Sequence, residues 1–265
     1  MIEKIGVLGL GKVGSLVGIL LHQSFGVTGM DLNDPYDVLP FPVKKGNVSS
    51  EKTIRSFLKG KDAIVSCLPF HLNIRIATIA AELGVHYFDL TEDVPTLHAI
   101  LDLSRRSRSI LAPQCGLAPG FIGIVGADLY QQFDAVRSVK LRVGALPLQP
   151  VGKLGYSITW SADGIINEYI NDAEVIHNGI RKMSASLEDI EQININGRQY
   201  EAFATSGGLG TMCATLEGKV DTLNYKTIRY PGHAAYMKFL LYDLWVEKRP
   251  GTVKANTGQC ASTRR

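Results

Sequence analysis

The sequence predicts an α/β chain: a doubly wound parallel sheet at the N-terminus, then a second, α+β domain whose sheet is mostly antiparallel. Three observations carry this. Short apolar runs alternate with helical apolar faces over about the first 115 residues. A glycine-rich loop joins the first apolar run to the first helix. After Gly120 the alternation stops, and strand patterns separated by turn residues take over. Among them Asn196-Gly197, between two such runs, is a strong hairpin signal.

The elements follow in order. Lys4 to Leu8 is a short apolar run ending in glycine, as a buried parallel strand reads. Lys12 to His22 places Val13, Leu16, Val17, Leu20 and Leu21 on one apolar helix face. Val27 to Met30 is a second strand ending at Asp31, and a loop with Pro35, Pro40 and Pro42 leads to a helix over Glu51 to Lys59. Asp62 to Cys67 is a buried strand stopped by Pro69; Asn73 to Leu83 is a helix that Gly84 caps. Strand Val85 to Leu90, helix Thr96 to Arg106 and strand Ser109 to Ala112 complete the alternation. Beyond Gly120, strands are expected at Val136 to Val143, Leu154 to Thr159, Ala173 to His177, Ile190 to Ile195 and Arg198 to Ala204. The expected division is a nucleotide-binding domain over 1–121, a substrate and dimerisation domain over 122–244, and a polar tail over 245–265.

Composition narrows the partners. A formal charge of +3 on 265 residues gives no reason to invoke nucleic acid or an anionic membrane. The one basic cluster, Arg105-Arg106 with Arg108, reads as the solvated end of a surface helix. No apolar run approaches the roughly 20 residues of a membrane helix. Cys67, Cys115, Cys213 and Cys260 lie far apart without metal-ligand spacing, so free thiols, no metal and a cytoplasmic address are expected.

Gly9-Leu10-Gly11-Lys12-Val13-Gly14 is a G-x-G-x-x-G loop that follows a strand, opens a helix and is answered by an acid, Asp31, about twenty positions after Gly11. That is the signature of a Rossmann dinucleotide site. Gly9 permits the tight turn, Gly11 lets the backbone approach a pyrophosphate, and Gly14 lets the helix press on the strand. Asp31 would accept hydrogen bonds from ribose hydroxyls and repel a 2′-phosphate, and no arginine follows it, so NAD is expected in preference to NADP. Ligands lie outside the carboxyl ends of such strands. By that rule Asn47 and Val48 flank the adenine, while Cys67, Leu68 and Pro69 run toward the nicotinamide. Cys67 and Cys115 are expected to pack rather than to act as nucleophiles.

Further stretches resemble the saccharopine dehydrogenase family, in particular its lysine 6-dehydrogenase branch. They are Val65 to Pro69, His86 to Thr91, Gly116 to Phe121, Tyr225 to His233 and, between the last two, Trp160 to Tyr169. The agreement runs from residue 1 to about 242. Glutamate-forming members tend to carry an acid where this chain has Ala118, and a cysteine in the strand that here reads Val143 to Pro147. Both departures lean the resemblance toward lysine oxidation. Members usually continue well beyond this point, so the 245–265 tail is expected to be a truncated one. The resemblance implies a homodimer and an amino-acid substrate.

Oxidising a primary amine moves hydride from the carbon bearing nitrogen to the cofactor, and the nitrogen must first be neutral, so a base is required. Asp89 and Glu92 stand at a strand end on the crevice, and His233 follows the glycine of the last motif. Asp89 or His233 is the expected catalytic base, with Glu92 among the substrate contacts. Arg229, with Lys226, is the expected clamp for a substrate carboxylate, since a guanidinium matches it bidentately. Glu168, with Asn167 and Tyr169, would attract a distal ammonium. Trp160 is read as core. The expected activity is NAD-dependent oxidative deamination of L-lysine. The alternatives are a saccharopine or carboxynorspermidine-type dehydrogenase and a non-catalytic NAD-binding regulatory protein.

Overall fold

A strand buried on both faces needs partners on both edges, and the first apolar run finds them. In the computed structural model, which describes residues 1–158 and 160–244, β1 (Lys4–Leu8) pairs in parallel with β2 (Gly26–Asp31) on one side and β4 (Ala63–Ser66) on the other. With β3 (Val43–Lys45), β5 (His86–Asp89) and β6 (Leu111–Ala112) the sheet has six strands in the order β3-β2-β1-β4-β5-β6, all parallel. The order reverses between β1 and β4, the place where such sheets open a ligand crevice.

Helices α1 (Lys12–His22), α2 (Glu51–Leu58), α3 (Asn73–Leu83) and α4 (Val94–Ser104) connect these strands. Their ends are set by local chemistry. Ser50 and Asp93 cap α2 and α4 by accepting the amides of Thr53 and Thr96, and Gly84 closes α3 in a left-handed conformation. One sheet face packs Leu8, Ile54, Phe57, Ile64, Ile76, Tyr87 and Ile100 into a dry core. The other gathers Val7, Leu10, Val27 and Phe41.

Helix α1 corrects the sequence reading of its apolar face. Gly14 and Gly18 are its buried residues, while Val13, Leu16 and Leu20 are turned outward. A Cβ on Gly18 would fall 2.4 Å from the Phe41 ring, so the helix lies on the sheet by its smallest residues rather than its largest.

The chain folds into two compact units, one of Met1–Val125 with 160–164, the other of Gly126–Ile158 with 165–244. Helix α5 (Phe121–Gln131) precedes the strands of the second unit. That unit holds β7 (Ser138–Val143), α6 (Ala162–Ile170, from Ile165), β8 (Ala173–His177), β9 (Ile180–Ser184), β10 (Glu191–Ile195), β11 (Arg198–Ala204), α7 (Met212–Leu216), β12 (Thr222–Arg229) and α8 (His233–Lys238). Strand β12 is the spine. It runs antiparallel to β11 and to β8, and parallel to β7. The β10–β11 hairpin turns at Asn196 and Gly197, both with positive φ, 52° and 80°, as a two-residue hairpin of the mirror-image type requires.

Three strands escaped the sequence reading: β3, β9 and β12. Conversely, Leu154 to Thr159, expected as a strand, forms none over Leu154–Ile158; Thr159 lies outside the described residues. Gly152 and Gly155 take positive φ there, and the Leu154 carbonyl is spent on His233 Nδ1 at 2.9 Å. The expected tail over 245–265 lies outside the described residues. Among the described residues no helix is long and apolar enough to cross a membrane, and no group of acidic, histidine or cysteine side chains is arranged to hold a metal.

Candidate active site

The glycine loop stands at the carboxyl end of β1. Gly9 takes φ +83°, a conformation L side chains rarely adopt, and its amide bonds to the Met30 carbonyl at 2.9 Å. A Cβ on Gly14 would overlap the Gly9 carbonyl oxygen at 1.8 Å, whereas a Cβ on Gly11 would meet nothing within 4 Å. Gly11 is therefore bare main chain turned to open space. Helix α1 starts from it with no side chain capping its first turn, which suits an anion at the positive end of the helix.

Asp31, at the end of β2, holds this loop. Its carboxylate accepts the amide of Leu10 at 2.6 Å and that of Asn33 at 2.9 Å. Asn47 is exposed and accepts the Ser49 amide, and Val48 packs partly on the core beside it. These three residues lie outside the lining of the cavity described next.

A cavity of about 410 Å³ opens above the switch point, lined by Gly11, Lys12, Val13, Gly14, Cys67, Leu68, Pro69 and Glu92 among the expected residues. Phe70, Leu90, Thr91, Trp160 and Ser161 complete it. Trp160 is thus half-exposed on a cavity wall, not core, which corrects the sequence reading. Its place depends on Gly164 in the first turn of α6, where a Cβ would fall 2.3 Å from the indole and 2.7 Å from Glu92 Oε1. Ser161 Oγ accepts the Gly164 amide at 3.0 Å and fixes that turn.

The acids at the end of β5 differ in kind. Asp89 is fully buried and held on both oxygens: Oδ1 accepts the amides of Thr91 and Gln114, and Oδ2 accepts the Tyr87 hydroxyl. Burial still pushes its pKa up, against those three bonds. It does not line the cavity; it ties the β5 and β6 ends together. Glu92 is on the wall, 8 % exposed, with its pKa pushed up to about 7, chiefly by burial and further by Asp93 and Asp89. Burial, with Asp89 nearby, pushes the Cys67 thiol up to about 12. Cys115 is exposed, and its thiol donates to the Ala112 carbonyl.

The second unit has its own cluster of expected residues. His233 Nδ1 lies 2.9 Å from the Leu154 carbonyl, which can only accept, so that nitrogen carries a proton. Burial lowers the His233 pKa and keeps the ring neutral, so Nε2 accepts the Tyr169 hydroxyl at 3.1 Å. Tyr169 in turn accepts Arg229 Nε at 3.0 Å. The chain therefore runs Arg229 to Tyr169 to His233 to Leu154, with the guanidinium 4.4 Å from the Tyr156 ring centroid and bonded to the Ile228 carbonyl. Both His233 nitrogens are engaged and the residue is 2 % exposed, which leaves no lone pair for a substrate proton. Glu201 anchors the start of α8 by accepting the amides of Gly232 and Ala234.

Glu168 is buried beside Tyr169 and acts electrostatically on it and on Tyr225; Asn167 is half-buried and binds Asn171. Lys226 departs most from expectation. Its side chain is 4 % exposed and its ammonium is paired with Asp189 at 2.8 Å and Glu191 at 3.1 Å, and Arg142 also holds Glu191. A buried ammonium must be compensated, and on β12 alternation places Lys226 on the face opposite Arg229. It is not a second arm of an Arg229 clamp.

Replacing Tyr169 with Phe should cost about 3 kcal/mol in urea unfolding, since it strands a buried guanidinium N–H and a buried imidazole nitrogen at once. A loss under about 0.5 kcal/mol would mean that the chain is not formed.

The Saccharopine dehydrogenase C-terminal domain family model matches residues 116–251. Among solved structures, the apo saccharopine dehydrogenase (L-Glu forming) from Saccharomyces cerevisiae superposes with a TM-score of 0.68 at 18% identity, over 90% of this chain and 57% of that one. The chain thus spans little more than half of that protein. UDP-N-acetylglucosamine 3-dehydrogenase from Acidithiobacillus ferrooxidans aligns over 87% of this chain and 70% of its own, at 14% identity and a TM-score of 0.46.

Proposed function

Because the chain belongs to the saccharopine dehydrogenase family, we propose that it is a nicotinamide-dinucleotide-dependent oxidoreductase acting at a carbon that bears an amino nitrogen, with NAD preferred and L-lysine as its first substrate. The observation that carries the reading is the bare Gly11 at the uncapped start of α1, on the rim of a cavity that Glu92 and Trp160 wall. A Cβ at position 11 would fill that open space, so the loop fits a diphosphate laid along it.

The Gly11 to Gly14 turn would hold the diphosphate, and Asp31 the adenosine ribose. Bound there, the nicotinamide supplies hydride acceptance from the carbon bearing nitrogen. The residues of the chain do the rest. Leu68, Pro69, Phe70 and Trp160 give the cavity apolar walls that keep water from the reacting carbon. Asp31 already spends lone pairs on Leu10 and Asn33. What remains of its charge accepts ribose hydroxyls and disfavours a 2′-phosphate.

Fluorescence titration should show NADH bound at least about tenfold more tightly than NADPH, with the preference lost in Asp31→Ser. Mixing the chain with NAD and lysine should raise the absorbance of the reduced cofactor. Absorbance with saccharopine or a polyamine adduct but not with lysine would move the substrate; no affinity for either dinucleotide would end the reading.

A further inference from the structure

Amine oxidation needs a proton acceptor where the nitrogen arrives, and the two residues expected for that task are spent. Asp89 gives both its oxygens to three donors and is off the cavity wall, and His233 has both ring nitrogens bound. Glu92 differs on every count. It lines the cavity, its Oε1 lies against the first turn of α6 at Gly164, and among the described residues no cation pairs with it.

We propose that Glu92 takes the proton from the substrate ammonium nitrogen before hydride leaves the neighbouring carbon, a role that rests on the amine-oxidation reading above. The N–H bond breaks, its electron pair stays on nitrogen, and the proton bonds to a Glu92 carboxylate oxygen. A nicotinamide bound beside it would then accept the adjacent C–H hydrogen with both its electrons, as the nitrogen lone pair closes a C=N bond. Glu92 returns its proton to solvent before the next turnover.

The surroundings suit this exchange. The charges of Asp93, next in sequence, and of Asp89 both favour the neutral form of Glu92. Asp163 is in the first turn of α6, Lys12 stands at the start of α1 on the cavity lining, and Cys67, at the end of β4, is a neutral thiol. Trp160 and Ser161 add no charge. Burial first, then Asp93 and Asp89, push the Glu92 pKa up to about 7, where a group both accepts and releases a proton readily.

The test uses the full chain, labelled with carbon-13 at glutamate side-chain carboxyls and titrated without cofactor. One resonance should titrate near neutrality and be missing in Glu92→Gln. With NAD and lysine, kcat of Glu92→Gln should fall at least about 100-fold with KM little changed. The acid limb of its pH profile should vanish, and NADH affinity by fluorescence should be kept. Glu92→Asp should retain the acid limb at reduced rate. A wild-type chain whose glutamates all titrate in the ordinary range, or a Glu92→Gln variant that keeps its rate, would overturn the role while leaving amine oxidation intact. Binding of NADH with no turnover of any amine by the wild type would remove the reading and this role together.

Discussion

Gly14→Ala should abolish dinucleotide binding and destabilise the first unit by about 3 kcal/mol or more. The added carbon would lie 1.8 Å from the Gly9 carbonyl oxygen, 2.9 Å from the Gly9 carbonyl carbon and 3.1 Å from Cys67 Cβ. The first two are main chain, so no side chain can swing aside. Either α1 lifts from β1 or the Gly9 turn opens, and both break the loop proposed to meet the diphosphate. Gly11→Ala is the matched contrast. Its Cβ meets no protein atom within 4 Å, so stability should stay within about 1 kcal/mol of wild type, the helix-start preference apart. NADH affinity should nonetheless fall by at least about tenfold if the proposed site is right, because the methyl would then occupy the cofactor's path. Thermal unfolding and NADH fluorescence, measured on both variants, separate folding from binding. Equal losses in both would mean that the glycines serve the fold alone.

The second large effect runs opposite to usual expectation: Glu92→Gln should stabilise the folded chain at pH 8. A pKa raised from 4.5 to about 7 means that the native state holds this proton more tightly than the unfolded one. Below about pH 4.5 the group is neutral in both states and exerts no penalty. As pH rises toward 7 the unfolded chain ionises first, and native stability falls through that window. Above 7 the whole penalty is present, about 3 kcal/mol from the size of the shift. An uncharged amide escapes it, so the gain should be about 1–3 kcal/mol at pH 8 and should shrink toward zero near pH 4.5. Urea unfolding at several pH values reads this without cofactor or substrate. A variant less stable than wild type at every pH would show that the carboxylate is held by partners rather than burdened by burial.

The first unit was legible because its signals are local. Glycines 9, 11 and 14, the acid at position 31 and alternating apolar runs each act within a few residues, and together they specify a doubly wound parallel sheet, while its strand order came from the structure. What was missed involved partners distant in sequence. Strand β12 buries Lys226, Thr227 and Arg229, so no apolar alternation announces it; its charges are compensated by Glu191, Asp189 and Tyr169, which only the fold brings near. Glu92 and Asp89 look equivalent along the chain. They separate only once Tyr87, Thr91 and Gln114 are seen to claim one, and Gly164 to adjoin the other. Trp160 was misread for a similar reason: an aromatic before a helix suits a core or a wall equally.

One consequence follows from Cys67, a thiol on the cavity wall whose pKa stands at about 12. At pH 7 only on the order of one molecule in 10⁵ would present the reactive anion. Peroxide and alkylating agents, the electrophiles a thiolate attacks, would find little to react with. A sulfur atom here fills volume beside Gly14, where an extra oxygen or adduct would block the loop. The same burial that makes Glu92 reluctant to ionise thus keeps the Cys67 thiol protonated.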